Sequence, residues 1–179
     1  MWNPDQYLMT LLFAAEAHKD QKIPDSNYNY VTHVTNVAME VANALVQQPL
    51  SIVDTTFAIQ CALLHDTIED TPVTYKDVLQ HFGNTIADGV LALTKNDELP
   101  KSQRMEDSLQ RIVRQGAAVR IVKMADRINN LQHPPSYWTI EKKKKYHQEA
   151  QLILDTLGGV HAYIEKRLAD KIKAYPQFF

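Results

Sequence analysis

Apolar residues recur along this chain at the spacing of an α-helix, and that period limits the fold more than any other feature. Val34, Val37, Val41 and Leu45 fall on one helical stripe, and Leu8, Leu12 and Ala15 follow the same spacing. Caps and breakers cut the pattern into segments. Asn3 before Pro4 makes an N-cap and first turn. Ser51, just after Pro49, caps "SIVDTTFAIQCALLH", and Gly83 separates "TYKDVLQHF" from "NTIADGVLALTK". "KSQRMEDSLQRIVRQ" is amphipathic and follows Pro100, while "AAVRIVKMADRINNLQ" stops before Pro134 and Pro135. "TIEKKKKYHQEAQLILDTL" ends near Gly158 and Gly159, and a last helix covers about residues 162–174. "NYNYVTHV" has strand-forming residues but leads straight into a helical run. The expected fold is all-α, with one domain over residues 1–179.

Composition narrows the class. Five glycines and eight prolines in 179 residues argue against disorder and against a turn-rich β-sandwich. The formal net charge of −2 does not mark a general nucleic-acid or membrane-surface binder, so any phosphate recognition must come from a local basic cluster. Cys61 is the only cysteine, which excludes an intramolecular disulfide framework and suits a reducing cytoplasm. Within "FAIQCALLH" it reads as a small buried apolar side chain. "LMTLLFAAEA" has the look of a signal-peptide core, but "MWNPDQY" before it has no Lys or Arg and carries Asp5. A helix is the expectation there.

Against this background "LLHDTIEDTPVT" stands out. His65 and Asp66 close an apolar helix, and a second acidic pair, Glu69 and Asp70, follows three residues later. A transition-metal site needs neutral imidazoles and ionised carboxylates converging from a rigid frame. His33, at the start of "THVTNVAMEVANAL", and Asp126, inside the apolar "IVKMADRINNL", are the other candidates with suitable surroundings. A carboxylate buried in such a helix is costly unless a cation or donor compensates it. Each residue alone also has a plain structural reading: a satisfied core histidine, an Asp paired with Arg. His18, His81, His133, His147 and His161 have no carboxylate beside them in an apolar context and stay outside the metal shell. If the segment stays helical, Glu69 lies one turn beyond His65 and Asp70 one turn beyond Asp66. That would set both near the ion, placed to orient water and take its proton. The plain alternative is a solvated acidic loop ended by Thr71 and Pro72.

"LLHDTIEDTPVTYKDVLQHFG" resembles the hydrolase motif of HD-domain metal-dependent phosphohydrolases, in particular RelA/SpoT-type stand-alone small alarmone hydrolases. "YVTHVTNVA" upstream, then "LALTK" and "VKMADRINNL" downstream, match in order, from about residue 12 to about residue 157. The resemblance implies an all-α HD-domain helical bundle. It implies metal ligands at His33, His65, Asp66 and Asp126, with Mn²⁺ the usual ion, although the donor set also suits Fe²⁺ or Zn²⁺. It implies catalytic roles for Glu69 and Asp70. Asn130 and Tyr146 fall where the resembled enzymes contact nucleotide, and Lys142 where they carry a basic residue. Asn130 shares a helical face with Asp126, and Tyr146 with Lys142. Most of "KKKK", Lys142–Lys145, is expected to be solvated, and Lys123 and Arg127 to flank Asp126.

One departure concerns the segment before His33. The resembled enzymes carry Arg-Lys, a Gly and then Pro-Tyr; this chain reads "DQKIPDSNYNYVTH", keeping Lys22 and Tyr30 but placing Asn29 at the Pro position. No residues remain for the synthetase of full-length RelA/SpoT proteins, so a stand-alone hydrolase is expected. The implied reaction is metal-dependent removal of the 3′-pyrophosphate from (p)ppGpp, with Lys22, Asn130, Lys142 and Tyr146 holding the substrate. The alternatives are another phosphorylated nucleotide, such as (p)ppApp or NADPH, and a non-catalytic nucleotide-binding or interaction module. The partner expected is a small-molecule nucleotide, with neither nucleic acid nor membrane, in the cytoplasm.

Overall fold

Capping chemistry sets most of the observed element boundaries. A computed structural model describes residues 3–179. Asn3 accepts the Asp5 amide and starts α1 (Pro4–Ala17). α2 spans Val31–Gln47, and Ser51 caps α3 (Ile52–Leu64) by accepting from the Asp54 amide. A single helical turn, α4 (Thr67–Asp70), follows. Thr74 and Asp77 form a reciprocal capping box that opens α5 (Tyr75–Phe82). Gly83, at φ 81°, turns the chain into α6 (Asn84–Leu93). α7 is Arg104–Arg114, α8 Ala117–Asn130, α9 Ile140–Leu157 and α10 Ala162–Ala174, with a closing 3₁₀ turn at Tyr175–Phe178. Among the described residues the one extended pairing is an isolated antiparallel bridge, Lys22 to Asn29. The fold is all-α, as the periodicity predicts.

α8 lies at the centre. From Ala118 to Ile128 every residue but Arg120 is buried. α2 and α3 pack against each other and against α8, while α10 and α9 cover its other sides. Such a helix is enclosed all round, which puts Lys123, Asp126 and Arg127 in the interior. The stripe Val34, Val37, Val41 and Leu45 of α2 is buried as expected. α1 is a helix as expected, but Leu8 and Leu12 are 53% and 61% exposed. The inward face of α1 carries Thr10 and Ala14 instead, and Thr10 accepts a hydrogen bond from Gln60 of α3 at 3.1 Å. α7 begins at Arg104, after a turn over residues 101–103. Cys61 is fully buried and unpaired; burial pushes its thiol far up, so it is inert packing. No helix is long and apolar enough to cross a membrane among the described residues.

Candidate metal centre and its acidic neighbours

Three helices deliver the polar cluster. His33 comes from the first turn of α2, His65 from the end of α3, Asp66 from the step into α4, and Asp126 from the buried middle of α8. The Nε2 atoms of His33 and His65 are 3.3 Å apart. Asp66 Oδ2 is 2.9 Å from His65 Nε2 and 3.6 Å from His33 Nε2. Asp126 Oδ1 lies 3.5 Å and 3.7 Å from the same two nitrogens. His33, His65 and Asp66 each turn one donor atom to within 4.8 Å of the others, close enough for one metal ion. Asp126 closes the remaining side.

The imidazole tautomers suit an ion. His65 Nδ1–H donates to the Ala62 carbonyl at 2.8 Å, and His33 Nδ1–H donates to Asn129 Oδ1 at 3.2 Å. Both bonds leave the Nε2 lone pairs pointing into the cluster, the arrangement outer partners impose on metal-binding histidines. Two facing lone pairs and two carboxylates repel one another unless a cation lies among them. Protons meet the same demand. Burial opposes charge on His33, but hydrogen bonds to Asp126 and Asp66 prevail and push it up to about 8. His65 is raised likewise against its burial, by Asp66 and Asp126. Burial would raise the carboxyls of Asp66 and Asp126; the facing His65 and Lys123 charges, with the imidazole bonds, hold both well below the usual carboxylate range.

A second ring of groups fixes these side chains. Tyr30 donates its hydroxyl to Asp66 Oδ2 at 2.6 Å. Lys123 Nζ donates to Asp126 Oδ2 at 2.9 Å, and Asn130 Nδ2 donates to its Oδ1 at 2.5 Å. Asp66 and Asp126 of the cluster line a cavity of about 200 Å³. Glu69, Asp70, Asn130 and Tyr146 all reach its wall. The helical turn expected after Asp66 is present, with the Asp70 amide donating to the Asp66 carbonyl at 2.9 Å. Glu69 is anchored by Lys95, whose backbone N–H and Nζ reach its two carboxylate oxygens at 2.9 Å and 2.5 Å. Partial burial and the charge of Asp66 raise the Asp70 carboxyl above its ordinary value.

Lys22 and Lys142 are exposed and lie outside the cavity lining. Lys142 places its ammonium over the Trp138 ring, 4.3 Å from the centroid. Tyr146 is held between Trp138, edge-on at 5.0 Å, and the Arg127 guanidinium, 3.9 Å above its ring. Lys123 and Arg127, expected only to flank Asp126, line the cavity with Lys95. The sequence signal for Lys123 was a lysine three residues before Asp126 in an apolar helix; for Lys95 it was the matching "LALTK". Asn29, at the Pro position, ties the loop before α2. Its amide donates to the Lys19 carbonyl at 2.9 Å, and its Oδ1 accepts the Val31 amide at 2.9 Å. The histidines outside the cluster include plain structural ones: His161 caps α10 and donates to the Gln48 carbonyl at 2.9 Å.

Known proteins resemble this chain in sequence and in fold. The chain is 32% identical over 166 residues to the guanosine-3′,5′-bis(diphosphate) 3′-pyrophosphohydrolase MESH1 of Danio rerio, covering 90% of this chain and 89% of that one. It is 31% identical over 161 residues to the enzyme of the same name from Xenopus tropicalis, covering 87% of each. A solved structure of a metazoan SpoT ortholog, described as hydrolysing ppGpp, superposes with a TM-score of 0.83 at 27% identity, over 100% of this chain and 99% of that one. The HD domain family matches residues 10–159. That span takes in α2, α3, α4 and α8, every element that supplies the cluster, and the chain belongs to the HD domain family.

Proposed function

We propose that this protein removes the 3′-pyrophosphate from guanosine alarmones, turning ppGpp into GDP and pppGpp into GTP with release of pyrophosphate. Mn²⁺ is the proposed ion and His33, His65, Asp66 and Asp126 its ligands. The observation that carries the reading is the convergence of two imidazole nitrogens on two carboxylates, Asp66 and Asp126, that line a cavity together with Glu69 and Asp70. Relatives of matching length that bear this activity in their names support it. When bound, the ion supplies a Lewis acid for a phosphate oxygen and makes water a stronger acid.

The chain's own groups then divide the work. Glu69, anchored by Lys95, orients the attacking water. Asp70, with its proton affinity raised, accepts the proton. Lys123 keeps Asp126 ionised and aimed, and Tyr30 does the same for Asp66. Asn130 and Tyr146 contact the nucleotide from the cavity wall. Lys22 and Lys142, exposed outside the lining, are assigned its outer phosphates. The nucleotide substrate and the single buried thiol support a cytoplasmic location.

The departure around Lys22 and Asn29 favours one second reading, another phosphorylated nucleotide such as (p)ppApp or NADPH on the same site. Purified protein with Mn²⁺ is to be given ppGpp, pppGpp, ppApp, pppApp and NADPH under one condition, with products separated by anion exchange. Fastest turnover of ppGpp to GDP and pyrophosphate is expected. Faster turnover of ppApp or NADPH moves the assignment to the second reading, and inertness toward all five overturns both.

A further inference from the structure

Asp70 ends a single helical turn, and its side chain is held from outside that turn. Its Oδ2 accepts a hydrogen bond from Gln21 Nε2 at 3.1 Å. Gln21 lies in the loop after α1, with its backbone pinned on both sides. Its N–H donates to the His18 carbonyl at 3.0 Å, and its own carbonyl accepts from the Tyr30 amide at 2.9 Å. The other end of its side chain, Oε1, is 2.6 Å from Nδ1 of His18.

These bonds have a fixed polarity. An amide oxygen only accepts, so the contact puts the His18 proton on Nδ1 and turns the NH₂ end of Gln21 toward Asp70. His18 is 0% exposed, its ring lies 5.0 Å from that of Tyr30, and its Nε2 has no hydrogen-bond partner among the described residues. An unpaired buried nitrogen is unfavourable. The one side-chain bond this histidine makes is the one that orients the amide.

We propose that Gln21, oriented by His18, is a positioning residue for the hydrolytic reaction. It clamps one oxygen of the Asp70 carboxylate and leaves the other free to meet water. The inference rests on the reading of Asp70 as a catalytic carboxylate. The side-chain bonds of Gln21 and His18 reach none of the four proposed ligands, so the role is separable from metal binding.

Two variants test it. Gln21→Glu keeps the length and can still accept from His18, but presents an oxygen to Asp70 in place of N–H. Gln21→Met keeps the bulk and loses both bonds. With Mn²⁺ and the nucleotide turned over fastest, each is expected to lower kcat about 100-fold, the scale of a misplaced reacting group. KM and bound metal are expected to stay unchanged in both, and the melting temperature to hold in Gln21→Glu but to fall in Gln21→Met, which leaves both nitrogens of the buried His18 unpaired. In an Asp70→Ala background, Gln21→Met is expected to add nothing, because the group it positions is gone. A purely structural role predicts unaltered kcat in Gln21→Glu, which keeps the bond to His18. Nitrogen NMR of His18 gives a readout independent of activity: protonated Nδ1 with bare Nε2 in the unaltered protein and in Gln21→Glu, and mixed tautomers in Gln21→Met. Unaltered kcat in both Gln21 variants while Asp70→Ala is inactive overturns the positioning role alone. Full activity in Asp70→Ala overturns the reading of Asp70 and this inference with it. A protonated Nε2 in the unaltered protein breaks the link to His18.

Discussion

As a proposed metal ligand, His33 meets two opposed demands, and its titration exposes them. A metal ligand must be a neutral imidazole. Yet without an ion, Asp126 and Asp66 overcome the penalty of burial and hold a proton on it up to about pH 8. The signs follow. In metal-free protein His33 binds its proton more tightly than in the unfolded chain, so its stabilisation is complete below about pH 6.5 and is lost as the pH rises through about 8. Metal uptake runs the other way, because each ion must displace that proton. Between pH 6 and 9 the melting temperature of metal-free protein is expected to fall while the increment added by Mn²⁺ grows. Increments equal at both ends would show that no ligand proton is displaced. Substitutions separate the acidic groups. Asp66→Ala removes a central oxygen and the acceptor of Tyr30, so metal is expected to be absent by elemental analysis. Glu69→Gln keeps an oxygen for the Lys95 amide and loses the charge. Metal content is expected to be unchanged and turnover to fall by about 10²–10⁴-fold. Loss of metal from the Glu69 variant would contradict the role given to it.

Helices were legible in the sequence because caps and breakers act locally; their orientation was not, because burial is set by neighbours. The pattern of α1 marks a helix, but the choice between a Leu8–Leu12 face and a Thr10–Ala14 face is made by α3. α8 reads as an apolar helix that carries a few charges, and enclosure by the helices around it decides that Lys123 and Arg127 are interior groups. The clustering of His33, His65, Asp66 and Asp126 was legible because His and Asp in apolar settings need compensation wherever they fold. Lys142 was harder. A four-residue spacing from Tyr146 sets both on one face, but helical side chains lean toward the N-terminus, and Lys142 reaches back over Trp138. Gly89 makes the same point in packing. As a glycine inside α6 it reads only as a weak helix former. Yet a Cβ there would lie 2.8 Å from Cys61 Sγ and 2.9 Å from the Phe57 ring, so the gap between α6 and α3 requires its absence. Gly89→Ala is expected to destabilise by about 1–3 kcal/mol through overpacking, read by thermal melting. An open site would respond with the opposite sign, gaining about 0.5–1 kcal/mol from better helix propensity.

At the scale of the whole molecule, the cluster joins α2, α3 and α8, the three helices that form the centre of the packing. One contiguous apolar cluster runs from Ala14 of α1 to Tyr175 of the last turn. The proposed ion at this junction would find no such site in the unfolded chain, so its binding would stabilise the fold by mass action. At free metal about 100 times Kd the gain is about 2.7 kcal/mol. For a chain of this size that corresponds to a rise of about 5–10 °C in melting temperature. Chelator treatment is therefore expected to lower the transition of the unaltered protein by that amount and to leave Asp66→Ala where it stands, near the chelated value. With a single core, one calorimetric transition is expected in every state. If chelation instead splits the transition, the helices around the cluster unfold apart from the rest, and the ion is a clamp between two units. A chelator-insensitive transition would mean that the imidazoles and carboxylates are satisfied by their protons and by Lys123, and the metal reading of the site would fall with it.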